Sequence, residues 1–282
     1  MVESNKLNDG RIIPMIGFGT WQIEDGEPAY NAVSEALKAG YRHIDTAQAY
    51  GNEASVGDAI KDSDVVREDI FLTTKVWNTV LTYDETLKSI EESMEKLKVS
   101  YLDLVLIHWP NPKAVRDNDG WKLRNNEVWR ALETLQKEGK IRSIGVSNFM
   151  NHHLEALLEI AKVIPAVNQI KLAPGLTQAD VVDYCKEKGI LVQAYSPLGH
   201  GTAFNHEVIK KVAENYLGKS AAQVALRWSL DKGFLPLPKS VTPKHIQSNL
   251  NIFDFKLSER DIKALDNVEG VIEPTDPDTK NH

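Results

Sequence analysis

The chain has few of the features that place a protein outside a reducing compartment or in a membrane. It contains a single cysteine, Cys185, among its 282 residues, so no intrachain disulfide can form. The first ten residues are mostly polar and lack the apolar segment of a secretory signal. No apolar run approaches the length of about 20 residues that a membrane-spanning helix needs. We therefore expect a cytoplasmic protein with no membrane partner, in which Cys185 packs on a helix as a small apolar side chain.

The chain also lacks an excess of positive charge. It carries 33 Lys and Arg against 40 Asp and Glu, which gives a formal net charge of -7. A surface with this balance disfavours nucleic acid as a partner. Any anionic ligand must then be held by a few cations at defined positions.

The glycine-rich fingerprint of a Rossmann dinucleotide site is missing. Gly17 and Gly19 have the first spacing of that motif, but Gln22 stands where its third glycine would fall. A Rossmann module is therefore not expected, and any dinucleotide must be bound by another architecture.

No histidine cluster has the spacing of a metal site. The densest group is His152 and His153 with Glu155 nearby. Adjacent residues at the start of a helix are expected to point in different directions, which disfavours a shared ligand role. We expect no bound metal.

The chain does contain seven short apolar runs that each end at a polar residue. Parallel strands with polar residues at their carboxyl ends, separated by helices, are typical of a (β/α)8 TIM barrel, whose strand tips form the active site. The length fits one such domain over residues 1–282. The polar residues at the seven predicted tips are Asp45, Lys75, His108, Ser147, Gln169, Tyr195 and Lys239.

Three further features complete the predicted barrel. An eighth strand, first in order, is expected near residues 15–18. Gly10 lies ahead of it and indicates a short amino-terminal β-hairpin that caps the barrel floor. Between Tyr195 and Lys239 the apolar spacing predicts two helices, about residues 207–217 and 220–231, so an extra helix precedes the last strand.

Side-chain alternation predicts an ion pair at the barrel top. If Ile44 faces the helices, Asp45 points into the barrel with His43. A buried carboxylate needs a partner to remain ionised, and Lys75 on the next strand is well placed to be that cation. Tyr50, five residues past Asp45, could fold back over both. A purely structural Asp45–Lys75 pair is the alternative.

Six longer segments of the chain carry the resemblance to one protein family: residues 40–47, 50–53, 102–110, 144–149, 195–198 and 238–240. In this order, and over nearly the whole chain from Gly17 to about Leu265, they closely resemble the aldo-keto reductases. Within that superfamily the chain is most similar to the prokaryotic branch that includes the 2,5-diketo-gluconate reductases and the glyoxal and methylglyoxal reductases.

The resemblance implies a catalytic tetrad of Asp45, Tyr50, Lys75 and His108 that reduces an aldehyde or ketone with hydride from NADPH. Hydride arriving at a carbonyl carbon leaves negative charge on oxygen, which a proton donor must relieve. An unperturbed tyrosine has a pKa of about 10. An ammonium about 4 Å away stabilises the phenolate by roughly 4 kcal/mol, which lowers that pKa. We expect Tyr50 to donate the proton, Lys75 to stabilise its phenolate, Asp45 to orient Lys75, and His108 to position the carbonyl oxygen. Taken alone, His108 could instead be a hydrogen-bonded core histidine.

The cofactor is expected at the last two strand tips, where barrels bind phosphate. The resemblance implies that Tyr195 stacks on nicotinamide and that Ser147, Asn148 and Gln169 bond its carboxamide, although the latter two could simply satisfy strand-end backbone. Lys239 to Thr242, at a helix start, suits the 2'-phosphate of NADP. The full set of expected cofactor contacts is Gly19, Thr20, Trp21, Ser147, Asn148, Gln169, Tyr195, Ser196, Pro197, Leu198, Lys239, Ser240, Val241, Thr242, His245 and Asn249.

The chain departs from the family pattern in two places. Related reductases usually carry arginine and glutamate where His245 and Ser248 stand here. Histidine lacks the fixed bidentate fork and permanent charge of arginine, so we expect NADPH to be preferred and NADH to be usable. Many relatives also have glutamate, histidine and tyrosine at positions 171, 173 and 175, where this chain has Lys171, Ala173 and Gly175.

We expect the substrate to be a small carbonyl compound and the protein to be a monomer. Trp21, Trp77 and Trp109 lie near strand tips and would line an apolar mouth, with Asn111 beside them. Each tryptophan could equally pack between loops. The loop over residues 111–124 and the tail over residues 268–282 are polar and contain proline, so they could close over the substrate or stay mobile. The shortness of the tail favours an open pocket. Two other classes stay open: a nicotinamide-binding accessory module of the same fold, and an unrelated barrel isomerase or hydrolase.

Overall fold

A computed structural model describes residues 3–280 and shows a parallel barrel preceded by a hairpin. Strands β1 (Ser4–Lys6) and β2 (Ile12–Pro14) pair antiparallel, with Asn5 opposite Ile13. The other eight strands form one sheet in chain order. These strands are β3 (Phe18–Gly19), β4 (His43–Asp45), β5 (Phe71–Val76), β6 (Leu102–Ile107), β7 (Ile141–Ser147), β8 (Val167–Lys171), β9 (Leu191–Tyr195) and β10 (Leu235–Leu237).

Backbone hydrogen bonds between the first and last strands close the barrel. The Gly17 amide donates to the Pro236 carbonyl over 3.1 Å, and the Gly19 amide donates to the Pro238 carbonyl over 3.0 Å. The predicted (β/α)8 TIM barrel is therefore confirmed. The first strand lies at Phe18–Gly19 rather than at residues 15–18, and Gln169 lies within β8 rather than after a strand.

Helices alternate with the strands as expected. The two predicted helices between β9 and β10 are present, although the first ends at Ala213 rather than near residue 217. The helices are α1 (Glu27–Ala39), α2 (Glu53–Lys61), α3 (Tyr83–Leu97), α4 (Gly120–Lys137), α5 (Asn151–Leu158), α6 (Ala179–Glu187), α7 (Thr202–Asn205), α8 (Glu207–Ala213), α9 (Ala221–Asp231), α10 (Pro243–Leu250) and α11 (Glu259–Asp266). Within residues 3–280, none of them has the length and apolarity to cross a membrane.

Local sequence explains the helix boundaries. Thr82 and Ser220 each accept a hydrogen bond from the backbone amide three residues on, in complete capping boxes with Glu85 and Gln223. Gly40 ends α1 with a φ of 111°, a left-handed conformation that glycine adopts without steric cost.

The hairpin closes the floor of the barrel. Leu7 and Ile13 are buried against the inward-facing side chains Leu104, Leu106 and Leu235. The main core lies between the strands and the surrounding helices, where Cys185 is buried on α6 as predicted. The floor is thus apolar, and the polar chemistry is confined to the opposite end of the barrel.

His43 lies in the barrel interior and is fully buried. Its Nε2 lies 3.1 Å from the Thr73 hydroxyl. Gly17 is required beside it, because a Cβ there would come within 2.7 Å of the His43 ring and 2.5 Å of Leu237. Burial, and secondly the charge on Lys75, lower the pKa of His43 to about 3.

We expect acid to destabilise the chain through this residue. Unfolded histidine has a pKa of about 6.5, so between that value and about 3 only the unfolded state binds the proton. The contribution of neutral His43 to the unfolding free energy is complete above pH about 6.5. At pH 5 roughly 2 kcal/mol of it is lost. Urea unfolding at pH 7 and pH 5 measures the loss, which should be smaller by this amount in His43→Gln. Equal losses in the two proteins would contradict the assignment.

Candidate active site

A buried ion pair lies at the carboxyl end of the barrel. Lys75 on β5 is fully buried, and its Nζ lies 2.5 Å from Oδ1 of Asp45 at the end of β4. Lys75 also donates to the Thr46 carbonyl over 2.9 Å. The second Asp45 oxygen accepts a hydrogen bond of 2.8 Å from Gln169 on β8. Both members of the pair are therefore fixed by further hydrogen bonds, as a buried pair requires.

Tyr50 completes this arrangement from a turn rather than a strand. Tyr50 is the last residue of a single 3-10 turn, Gln48–Tyr50. Gly51, which follows it, has a φ of 70°. The turn brings the Tyr50 hydroxyl within 3.3 Å of Lys75 Nζ, and the ammonium lies 5.0 Å from the ring centroid. Asp45, Tyr50 and Lys75 thus converge as the sequence predicts.

The protonation of Tyr50 differs from the expectation. Burial, and then the negative charge of Asp45, raise its pKa well above the ordinary value of 10. The resting side chain therefore carries its proton.

His108 lies at the end of β6 beside the phenol. Its ring makes an edge contact with Tyr50, with centroids 5.7 Å apart, and another with Trp77 at 5.1 Å. The His108 carbonyl accepts a hydrogen bond of 3.0 Å from the Asn148 side chain. His108 is therefore held between aromatic rings at the cavity wall, and the expected tetrad lies at one end of the barrel.

The residues expected to hold nicotinamide form a connected polar layer. The Tyr195 hydroxyl donates to Asn148 Oδ1 over 2.8 Å, and the Asn148 amide donates to Ser147 Oγ over 3.1 Å. Ser147 in turn donates to the Gln169 carbonyl over 2.8 Å. These side chains satisfy one another and nearby backbone, the alternative role considered from sequence, while they also line the cavity.

One cavity of about 600 Å³ unites most of the predicted site. Its wall includes Asp45, Tyr50, His108, Gly19, Trp21, Trp77, Trp109, Ser147, Asn148, Gln169, Tyr195, Ser196, Pro197, Leu198 and Lys239. The residues predicted for the site that do not line it are Lys75, Thr20, Asn111, Ser240, Val241, Thr242, His245 and Asn249. Lys75 and Thr20 are buried behind the wall, and residues 240–249 lead away from the rim into α10.

The carboxyl-terminal tail covers part of the mouth. The Asp278 carboxylate accepts hydrogen bonds from Asn111 over 2.7 Å and from His153 over 3.0 Å. Lys171 donates to the Glu273 carbonyl over 3.2 Å and to the Thr275 hydroxyl. Asn111, expected at the substrate, instead holds the tail, and the tail narrows the pocket that was expected to be open.

The prediction that His152 and His153 point apart is wrong. Their ring centroids lie 3.8 Å apart, and both Nε2 atoms face Asp278, at 3.1 and 3.0 Å. The prediction failed because the tail brings Asp278 against both rings. The Met150 amide donates to Nδ1 of His153, which places the His153 proton on Nε2, toward Asp278. These three side chains thus form a hydrogen-bonded tail contact, and the protonated Nε2 opposes metal ligation.

Arg124 was not predicted from the sequence, yet it organises the tryptophan loops. It is buried on α4 and donates to the carbonyls of Trp77 over 3.1 Å, Val80 over 3.0 Å and Trp109 over 3.0 Å. Burial lowers its pKa to about 9. No sequence pattern marks an arginine whose partners are loop carbonyls.

Comparisons with known proteins agree with this geometry. The aldo/keto reductase family model matches residues 15–269. Glyoxal reductase from Bacillus subtilis is 47% identical over 264 residues, covering 94% of this chain and 92% of the relative. Methylglyoxal reductase DkgA from Yersinia pestis is 43% identical over 262 residues, covering 92% of this chain and 90% of the relative.

Solved structures show the same relationship. An aldo/keto reductase from Brucella melitensis superposes with a TM-score of 0.88 at 46% identity, covering 94% of this chain and 97% of that one. A Bombyx mori aldo-keto reductase in complex with NADP superposes with a TM-score of 0.87 at 34% identity, covering 97% of this chain and 95% of that one. The chain belongs to the aldo/keto reductase family.

Proposed function

We propose that this enzyme reduces small aldehydes and ketones to alcohols with NADPH, taking hydride from nicotinamide C4 and a proton from Tyr50. The observation that carries the proposal is the Tyr50 hydroxyl, which lies 3.3 Å from Lys75 Nζ at the wall of the cavity. The relatives named glyoxal reductase and methylglyoxal reductase support small carbonyl compounds as substrates.

The proton comes from a phenol that is neutral at rest. Because the pKa of Tyr50 is raised by burial and by Asp45, the side chain enters the reaction protonated. Charge developing on the carbonyl oxygen draws that proton, and the Lys75 ammonium then stabilises the phenolate. Asp45 and the Thr46 carbonyl hold Lys75 in place. His108, at the same wall, orients the carbonyl oxygen toward Tyr50.

The residues at the last strand tips fit a nicotinamide dinucleotide. Tyr195 is half-buried with its hydroxyl tied to Asn148, which leaves a fixed ring at the cavity wall. Lys239 is exposed at the rim, ahead of the first turn of α10. Tyr195 would hold the nicotinamide, and Lys239 with the α10 amides would hold a phosphate. When bound, the cofactor supplies the hydride.

We expect His245→Arg to strengthen the preference for NADPH over NADH. His245 is exposed in the first turn of α10, and a guanidinium there adds a permanent charge and a bidentate donor for the 2'-phosphate. A charge-assisted bond worth about 1.5 kcal/mol corresponds to roughly a tenfold rise in the ratio of kcat/KM values. Steady-state kinetics with both cofactors measure the ratio. Lys244→Arg, on the adjacent exposed residue, is the control, and an unchanged ratio in His245→Arg would contradict the assignment.

The same proposal extends to the state of the protein in the cell. The family match over residues 15–269 supports one domain across residues 1–282. The single cysteine and the negative net charge support a cytoplasmic protein that does not bind nucleic acid. We propose that the protein acts as a monomer.

The direct test is loss of reduced-nicotinamide absorbance with methylglyoxal, glyoxal and a panel of aromatic aldehydes. We expect NADPH oxidation with several of them and the corresponding alcohol as product. Tight NADPH binding without oxidation by any carbonyl compound would favour the accessory-module function instead.

A further inference from the structure

Two lysines at the cavity mouth have no role in the chemistry proposed above. We infer that Lys171 and Lys280 form an anion subsite that takes the carboxylate of an oxo-acid substrate, which makes acidic carbonyl compounds better substrates than their neutral counterparts. This inference rests on the proposed function and specifies the substrate class.

Lys171 reaches the cavity from the barrel interior. It lies two residues after Gln169 on β8, and the two side chains leave the same face of the strand. Gln169 points inward, since it bonds Asp45 over 2.8 Å. Lys171 lies opposite Tyr195 in the strand register. Its side chain therefore lies above the polar layer, beside the Tyr195 ring that is proposed to hold nicotinamide.

The Lys171 ammonium retains a hydrogen-bond donor for a ligand. An ammonium has three donors, and two of them have partners in the tail: the Glu273 carbonyl and the Thr275 hydroxyl. Both partners are neutral, so the positive charge of Lys171 is not cancelled by them. Among residues 3–280 the third donor has no partner, and the Lys171 side chain lines the cavity.

Lys280 brings a second positive charge to the same mouth. Its backbone is fixed by two hydrogen bonds, from Arg116 to the Lys280 carbonyl over 2.7 Å and from the Lys280 amide to the Asp276 carbonyl over 3.1 Å. The two ammonium groups are close enough that Lys280, after burial, lowers the pKa of Lys171. Two like charges near one another favour an anion between them.

Charge balance at the mouth points the same way. Across residues 3–280, Asp45 is the carboxylate that lines the cavity, and Lys75 already neutralises it. Within those residues the partners of the Lys171 ammonium are a carbonyl and a hydroxyl, and neither Lys171 nor Lys280 forms an ion pair with a carboxylate. The positive charges of Lys171 and Lys280 thus lie at the cavity mouth, and Tyr50 lies deeper at the cavity wall. A carbonyl compound with an acid group at its far end matches that polarity.

The test compares 4-carboxybenzaldehyde with its methyl ester, which differ in charge and share the aldehyde and ring. We expect the wild-type enzyme to favour the acid in kcat/KM. The Lys171→Gln/Lys280→Gln variant should lose about tenfold in the acid-to-ester ratio, and added salt should reduce the wild-type ratio. Lys38→Gln/Lys88→Gln, at exposed lysines on α1 and α3, is the matched control for the loss of two charges. Equal ratios in the wild type and the double variant would overturn the inference.

Two further measurements separate the possible failures. If the anion held by these lysines is the cofactor pyrophosphate, the double variant binds NADPH more weakly at an unchanged acid-to-ester ratio, which overturns the subsite. If the enzyme reduces neither aldehyde, the proposed function fails. In that case the binding of 4-carboxybenzyl alcohol, measured by quenching of tryptophan fluorescence, still tests the subsite. Weaker binding by the double variant supports the subsite, and equal binding overturns it.

Discussion

Replacing Tyr50 by phenylalanine should lower kcat for methylglyoxal by about a hundredfold to ten-thousandfold, the range typical of losing a general acid. The phenyl ring keeps the edge contact with His108 and the ring contact with Lys75, so the cavity shape is preserved. The hydroxyl 3.3 Å from Lys75 is the group removed. Rates at saturating NADPH measure the loss.

The control for this variant must show that cofactor binding survives. We expect the Kd for NADPH to change little, since the Tyr50 hydroxyl lies against Lys75 rather than at the last strand tips. Tyr83→Phe, which removes a hydroxyl bonded to Thr134 between α3 and α4, should leave kcat unchanged. A Tyr50→Phe enzyme within a few-fold of the wild-type rate would show that another group donates the proton.

The second large effect concerns the buried ion pair. Lys75→Met leaves the Asp45 carboxylate buried, with Gln169 as its remaining side-chain donor, and we expect a loss of about 3–5 kcal/mol in unfolding free energy. The double variant Asp45→Asn/Lys75→Met carries no buried charge and should recover most of that stability. Urea unfolding of the three proteins at neutral pH gives the comparison.

Activity separates a catalytic pair from a structural one. The double variant should remain inactive although it is folded, because the Tyr50 phenolate has lost its cation. A stable and active double variant would make the pair purely structural, the alternative considered from sequence. A double variant no more stable than Lys75→Met would show that the uncompensated Asp45 charge is not the cause of the loss.

Regular strands made the centre of the site predictable. Asp45 and Lys75 occupy inward positions on neighbouring strands, and a side-chain period of two is enough to bring them together. The same period extends from Gln169 to Lys171, so the inward orientation of Lys171 could have been deduced from the sequence. Its neighbour Lys280 could not, because its position depends on how the tail returns over the mouth.

Long-range contacts of the tail explain what the sequence missed. Asp278 meets Asn111 across 167 residues, and nothing periodic in either segment encodes that contact. The same carboxylate explains why His152 and His153 converge against the rule for adjacent helical residues. The raised pKa of Tyr50 has a related reason: it depends on the depth of burial and on the nearby charge of Asp45, which only the assembled barrel provides.

Transfer of isotope from cofactor to product tests the central claim most directly. The enzyme would be given methylglyoxal and NADPH deuterated at both C4 positions, and the product analysed by mass spectrometry. The account predicts one deuterium per alcohol, on the former carbonyl carbon, with a proton from solvent on oxygen. A product without deuterium, or no product from the enzyme with cofactor bound, would contradict it.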